Sequence, residues 1–142
     1  MQNIGTYKDI TWIDDAISTT PESTIQAIQT FDHQIDTIFL GGTDRGYVFD
    51  ELVKQLDHYE IQNIVLFPDS GTRILSALQT HSNHERNILQ TSDMQEAVKF
   101  AYTHTRPGKI CLLSTASPSY SVRKNFEEKG DLFVQYIQIL SH

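Results

Sequence analysis

The sequence predicts an α/β domain built on a doubly wound, mostly parallel sheet with helices on both faces. Three observations predict it. Short apolar runs alternate along the whole chain with segments whose apolar residues recur at helical spacing. The connections between the runs are long enough to hold crossover helices, as parallel strands require. Three polar segments, Asp14–Thr24, Gly41–Gly46 and Ser114–Phe126, each begin where a strand gives way to a helix, the place where open α/β sheets keep their ligand sites.

Taken in order, Ile10–Ile13 is a strand and the stretch from about Pro21 to Phe31 a helix with the stripe Ile25, Ile28, Phe31. Thr19 or Thr20 is its N-cap, with Pro21 in the first turn, where a missing N–H costs nothing. Ile35–Leu40 is the next strand, after which Val48, Leu52, Leu56 and Tyr59 recur at helical spacing. Ile61–Phe67 makes a third strand. Asp69 or Ser70 caps a helix carrying Ile74, Leu75 and Leu78, and Arg86–Gln90 is a short strand after it. Ser92–Gln95 resembles a capping box for a helix that packs through Ala97, Val98 and Ala101. The turn Arg106-Pro107-Gly108 leads into the strand Lys109–Ser114. The last stretch, apolar at Phe126, Phe133, Ile137 and Leu140, reads as a helix. Gly130 inside it costs about 1 kcal/mol relative to Ala. Either that helix approaches a neighbour closely there or it breaks, which would free Leu132–Leu140 to be a final strand. Strands alternating with helices of this length imply βαβ crossovers and a Rossmann-like sheet.

A chain of 142 residues suits a single domain, 1–142, able to bury roughly 70% of its unfolded surface without a disulfide or metal. Eleven Lys and Arg against eighteen Asp and Glu give a net charge of −7, which argues against nucleic acid or an anionic membrane as partner. An anionic small ligand then requires a local exception to that field. The lone Cys111 sits in the apolar run Ile110–Leu113, so an intrachain disulfide is excluded and a buried thiol in a reducing compartment is expected. No apolar stretch approaches the ~20 residues of a membrane span, and the polar start lacks a signal-peptide core. A cytoplasmic protein is the expectation.

The Gly41-Gly42 turn follows an apolar strand, but Gly-Gly-Thr-Asp-Arg-Gly lacks the dinucleotide spacing and no Walker loop occurs anywhere. The chain by itself should not cradle a triphosphate. As a bare feature the turn is a tight strand-to-helix connection; Arg45 makes it a carboxylate or phosphate receptor if the guanidinium faces the strand ends. Asp14 and Asp15 followed by Ser18, Thr19 and Thr20 either cap a helix or form an anion and hydroxyl site at its N-terminus. In the second case the hydroxyls hold a carboxylate while Asp15 accepts hydrogen bonds from a sugar or an amine. The six histidines show no metal-ligand spacing, and the Ser residues at 114–121 have neither a nucleophile elbow nor an evident base.

Together these segments resemble the C-terminal domain of the Mur ligases, and among them the UDP-N-acetylmuramoyl-L-alanine:D-glutamate ligases. The motif Trp-x-(Asn/Asp)-Asp-Ser-x-x-Thr is similar to Trp12–Thr19, and a Leu-Gly-Gly turn with a nearby basic residue is similar to Leu40–Arg45. Leu-Leu-Ser-Pro-Ala-x-x-Ser followed by Lys-Asn-Phe-Glu-x-(Arg/Lys)-Gly resembles Leu112–Ser119 and Lys124–Gly130. The resemblance implies a three-domain enzyme whose UDP-binding and ATP-binding domains are absent here, with ATP and Mg held mainly by the central one. It implies activation of the carboxylate of UDP-N-acetylmuramoyl-L-alanine as an acyl phosphate and attack by the amine of D-glutamate, which this domain would position. It further implies that Ser18, Thr19 and Ser119 meet the carboxylates of the amino acid. Arg45 and Lys124 would supply positive charge, Tyr120 and the backbone at Phe126 would shape the pocket, and Asp15 would reach the nucleotide ribose. No catalytic residue and no metal ligand is expected in this domain, and the isolated chain is expected to be inactive.

The chain departs from the pattern at Ala16, Ile17, Arg45 and Thr115, where the family commonly has Ser, Lys, Lys and Pro. The loop Ile-Ser-Thr-Thr-Pro resembles a sub-branch that adds L-glutamate, an alternative to D-glutamate. A free-standing, non-catalytic glutamate-binding or interaction module is the alternative of a different class. A Gly-Thr-x-Gly-Lys-Thr/Ser loop encoded upstream in the same reading frame separates the ligase from the module.

Overall fold

A computed structural model describes residues 1–15, 20–42, 44–114 and 125–141, with side chains from Gly130 onward in the last run. The elements are β1 (Gln2–Tyr7), β2 (Ile10–Asp14), α1 (Pro21–Phe31), a 3₁₀ turn (Asp32–Gln34), β3 (Ile35–Gly41), α2 (Asp50–His58), β4 (Asn63–Phe67), α3 (Ser70–His81), β5 (Asn87–Gln90), α4 (Met94–His104), β6 (Ile110–Leu113) and α5 (Asn125–Ile139). One sheet runs in the order β1-β2-β6-β3-β4-β5. All its pairings are parallel except β1 with β2. This is the doubly wound α/β sheet that the alternation of runs requires. No helix among the described residues is long and apolar enough to cross a membrane.

Side chains alternate across the strands and divide the core in two. Ile13, Ile38, Leu40, Ile64, Leu66 and Leu112 face α1, α2 and α3, where they meet Ile28, Leu52, Leu56 and Ile74. Trp12, Phe39, Val65, Phe67, Cys111 and Leu113 face α4 and α5, against Ala97, Val98, Ala101, Phe133 and Ile137. Strands buried on both faces read as unbroken apolar runs, which is why they were visible in the sequence.

The helix starts follow local chemistry. Thr20 caps α1, its hydroxyl accepting from the Ser23 amide at 3.1 Å while the Thr20 amide donates to the Ser23 hydroxyl at 3.3 Å. Of the two threonines that the sequence offers, Thr20 is therefore the cap. For α4 the cap is Asp93, which accepts from the Gln95 amide at 2.9 Å, one residue later than the expected Ser92. Asp69 precedes α3 but forms no side-chain cap. Val48, assigned to the α2 stripe from its spacing, is 71% exposed and lies before the helix, whose buried residues are Leu52, Val53 and Leu56.

The N-terminal strand has no counterpart in the sequence expectations. β1 joins β2 through Lys8 and Asp9, both with positive φ (52° and 66°), so the hairpin turn uses neither of the glycine signatures that advertise one. At the other end of the chain, α5 continues through Gly130 and no final strand forms. A Cβ at Gly130 would lie 2.5 Å from Asp14 Oδ2, so close approach explains the glycine. Gly130→Ala is accordingly expected to cost about 1–2 kcal/mol, measured by denaturant unfolding. In an Asp14→Ala background the same change should become neutral or stabilising, because the carboxylate is gone and alanine favours the helix by about 1 kcal/mol.

At the amino ends of the strands, buried polar groups tie the elements together. Asp36 on β3, 1% exposed, accepts from Arg106 through the backbone amide (2.8 Å), Nε (3.1 Å) and Nη2 (2.7 Å). Asn63 on β4 donates to the Thr37 hydroxyl at 3.0 Å and to the His104 carbonyl at 3.1 Å, and accepts from Asn87 at 2.9 Å. These bonds link β3, β4 and β5 to the end of α4. They lie at the opposite end of the sheet from the candidate site.

Candidate functional site

The polar segments singled out in the sequence begin at the carboxyl ends of β2, β3 and β6. The chain reverses its winding there: α1 and α2 lie on one face of the sheet, whereas α5, which follows the intervening β6, lies on the other. Such switch points open a crevice at the strand ends.

Asp15 extends the β2–β6 pairing by one bond, its amide donating to the Leu113 carbonyl at 2.8 Å. It is 4% exposed, and its Oδ2 lies 3.5 Å from the Ser114 hydroxyl, itself 2.9 Å from the Thr24 hydroxyl of α1. The Ser114 amide donates to the Phe39 carbonyl of β3 at 3.1 Å. One buried set of hydroxyls and a carboxylate therefore fixes the start of α1 against the ends of β2, β6 and β3. Ser114 and Thr24 were not singled out individually in the sequence. The signal for Ser114 was its position as the first polar residue after the β6 run.

The glycine turn has a structural cause as well as a place in the site. Gly41 has φ +120° and pairs with Phe67 across β3 and β4. A Cβ there would fall on the Phe67 carbonyl oxygen and within 2.7 Å of the Phe67 nitrogen. The Gly42 carbonyl accepts from the Asp69 and Ser70 amides at 2.7 and 2.8 Å, so the start of α3 is docked on the glycine loop.

Beyond Gly42 the loop carries Asp44, Arg45, Gly46 and Tyr47. Arg45 is exposed, with no partner among the described residues. The engaged cation is Arg73 of α3, which sequence reasoning did not select. Its Nη1 donates to Asp44 Oδ1 and its Nη2 to the Tyr47 carbonyl, each at 2.7 Å, and its guanidinium lies 5.3 Å from the centre of the Phe49 ring. Asp44 Oδ1 also accepts from the Gly46 amide at 2.9 Å. The Gly46 bond, helped by Arg73, holds the Asp44 carboxyl below its ordinary range. A separate cleft of about 300 Å³ opens between the ends of β4 and β5, beside Gly71, Thr72, Gln90 and Thr91.

Of the residues picked out in the sequence, Asp15 and Arg45 thus stand at the ends of neighbouring connections. The backbone of Phe126 is in the first turn of α5. Ser18, Thr19, Ser119, Tyr120 and Lys124 lie outside the described residues, as do Ala16, Ile17 and Thr115.

Residues 1–117 match the family model described as Mur ligase, glutamate ligase domain. A UDP-N-acetylmuramoyl-L-alanine–L-glutamate ligase of Salinispora tropica is 36% identical over 129 residues, 91% of this chain and 28% of that protein. A UDP-N-acetylmuramoylalanine–D-glutamate ligase of Lactobacillus gasseri is 34% identical over 140 residues, 99% of this chain and 30% of that protein. Among solved structures, a murein peptide ligase of Psychrobacter arcticus superposes with a TM-score of 0.62 at 14% identity, over 96% of this chain and 29% of that one. The chain thus spans less than a third of the length of each of these proteins.

Proposed function

The chain belongs to the Mur ligase family through its glutamate ligase domain, and from that membership we propose that it is the C-terminal, glutamate-positioning domain of a ligase that joins glutamate to UDP-N-acetylmuramoyl-L-alanine in peptidoglycan precursor synthesis. The observation that carries this reading is the 34% identity that runs over 140 residues with a ligase named for D-glutamate. The substrates and activity of the whole enzyme are part of the proposal, as is the assignment of the UDP-binding and ATP-binding domains to sequence outside these residues.

In this reading the work of the domain is to orient a dicarboxylate and aim its amine at the carbonyl carbon of the other substrate. A domain of net charge −7 binds a dicarboxylate only where cations and helix N-termini converge. Arg45 and Lys124 supply the charge, Ser18, Thr19 and Ser119 the hydroxyl donors, and Tyr120 with the Phe126 backbone the wall. Asp15 reaches a nucleotide ribose. The sequence has no Walker loop, and among the described residues no three His, Cys, Asp or Glu side chains form a metal group. By the family resemblance, ATP and magnesium are assigned to parts of the enzyme beyond this chain.

D-glutamate is the proposed amino acid. L-glutamate is the second reading, favoured by Ala16 and Ile17 beside Thr19 and by the Salinispora relative. The two are separated by assaying the full-length enzyme with each pure enantiomer. A roughly hundredfold preference for L-glutamate, about 2.7 kcal/mol in transition-state binding, replaces D with L. Turnover with neither removes the ligase assignment. In the same assay Arg45→Ala is expected to lower kcat/KM for glutamate by about 2 kcal/mol while saturation by ATP and the UDP-sugar changes little. A change within about twofold makes Arg45 an ordinary solvated side chain.

A further inference from the structure

Among its described residues, Gly42 and Asp44–Phe49, the connection that follows β3 has no helix or strand of its own. Its conformation is instead read from α3, an element that follows the next strand. Two amides at the start of α3 hold the Gly42 carbonyl, and one turn further on Arg73 spans the loop. Its two terminal nitrogens reach groups on either side of Arg45: the carboxylate of Asp44 and the carbonyl of Tyr47. The planar fork of a guanidinium makes such a double contact at fixed geometry, which an ammonium cannot do. Gly46 closes the inner ring through Asp44, and the buried Phe49 anchors the far end beneath Arg73. The residue between the clamped positions, Arg45, has its side chain exposed and without a partner among the described residues, so the loop backbone, and no side-chain contact, limits where its charge can reach.

We propose that Arg73 is a positioning residue for the amino-acid substrate: without touching it, Arg73 clamps Asp44 and Tyr47 so that the loop holds Arg45 toward the crevice at the strand ends. This rests on the reading of Arg45 given above. A salt bridge as exposed as this one, with 43% of the Arg73 side chain accessible, adds little to global stability. Its effect is therefore on loop geometry, where displacement of a binding group is costly in rate.

The test is kinetic, in the full-length protein that carries this chain, with Arg73→Gln, Arg45→Ala and the double variant. Arg73→Gln is expected to raise KM for glutamate about tenfold with the KM values for ATP and the UDP-sugar within about twofold and the melting temperature nearly unchanged. In the Arg45→Ala background the same substitution should add almost nothing, because both act through one charge. Arg73→Lys should recover only part of the loss, since it reaches one of the two acceptors. Asp44→Ala, which leaves Arg73 intact but removes the oxygen that accepts from both Arg73 and the Gly46 amide, should reproduce the glutamate effect from the loop side. If Arg45→Ala impairs glutamate use but Arg73→Gln and Asp44→Ala do not, the clamp is overturned and the Arg45 assignment stands. If Arg45→Ala leaves glutamate kinetics at the parent values, the Arg45 assignment falls and the positioning role falls with it. Additive effects at 45 and 73 also overturn the proposal, since they place Arg73 in a separate role.

Discussion

Gly41→Ala is expected to remove about 4 kcal/mol or more of folding stability, a large part of the total for a domain of this size. Two costs combine. The φ of +120° is one that a side-chain-bearing residue adopts only with strain. The added methyl would also land on the Phe67 backbone, with the nitrogen 2.7 Å and the carbonyl carbon 2.8 Å away. Neither partner can yield cheaply, because Gly41 and Phe67 are paired in the centre of the sheet. Separating them opens the β3–β4 ladder and pulls the Gly42 carbonyl away from the two amides of α3. Gly46→Ala supplies the control: its φ is +76° but no atom lies within 4 Å of the added Cβ. That substitution should cost only about 1 kcal/mol, the price of the left-handed conformation. Urea unfolding of both variants checks the difference, and a Gly41→Ala loss equal to that of Gly46→Ala would refute the steric account.

Asp36→Ala is expected to cost about 3 kcal/mol. Arg106 loses three charge-assisted hydrogen bonds at once, two from the guanidinium and one from its own amide. The guanidinium is 60% exposed and can turn to water, so the larger part of the loss falls on the half-buried amide and on the turn that starts β6. Asp36→Asn retains one acceptor oxygen but points an NH₂ group at the Arg106 amide, so about half of the loss should persist. A thermal shift of less than about 2 °C for Asp36→Ala, corresponding to well under 1 kcal/mol, would show that water replaces the carboxylate at little cost.

The parts of the fold that were legible are those whose neighbours leave a mark in the local sequence. The span 21–31 was readable because Thr20, Pro21 and the apolar stripe all give the same helix start. β3, β4 and β6 were readable because burial on both faces makes them largely apolar, with the unbroken runs Ile38–Leu40, Ile64–Phe67 and Ile110–Leu113. β1 was not, because it is largely exposed, polar and paired on one side alone, through a Lys-Asp turn. Val48 failed for a related reason: its spacing fits the α2 stripe, but the loop clamped by Arg73 turns it outward to 71% exposure. At the strand ends, Asp15 and Arg45 were marked by motif position, and their roles belong to the proposed function. Arg73, Ser114 and Thr24 form hydrogen bonds across 26 to 99 residues of sequence, and no local pattern marks such contacts; for Arg73 and Asp44 the separation is 29 residues, and for Thr24 and Ser114 it is 90.

Cys111 gives the molecule a built-in reporter of its own opening. The thiol is inaccessible on β6, between β2 and β3, and burial pushes its pKa well above the ordinary value, so the folded chain presents no thiolate to a reagent. It is the one cysteine in the sequence. Alkylation therefore requires the central strands to part, and its rate at low reagent reactivity measures the fraction of molecules that have done so. The same raised pKa sets an alkaline limit. Protonated thiol is favoured in the fold, so this contribution is fully present below about pH 8.5, where the unfolded thiol titrates, and is lost as pH rises toward the folded value.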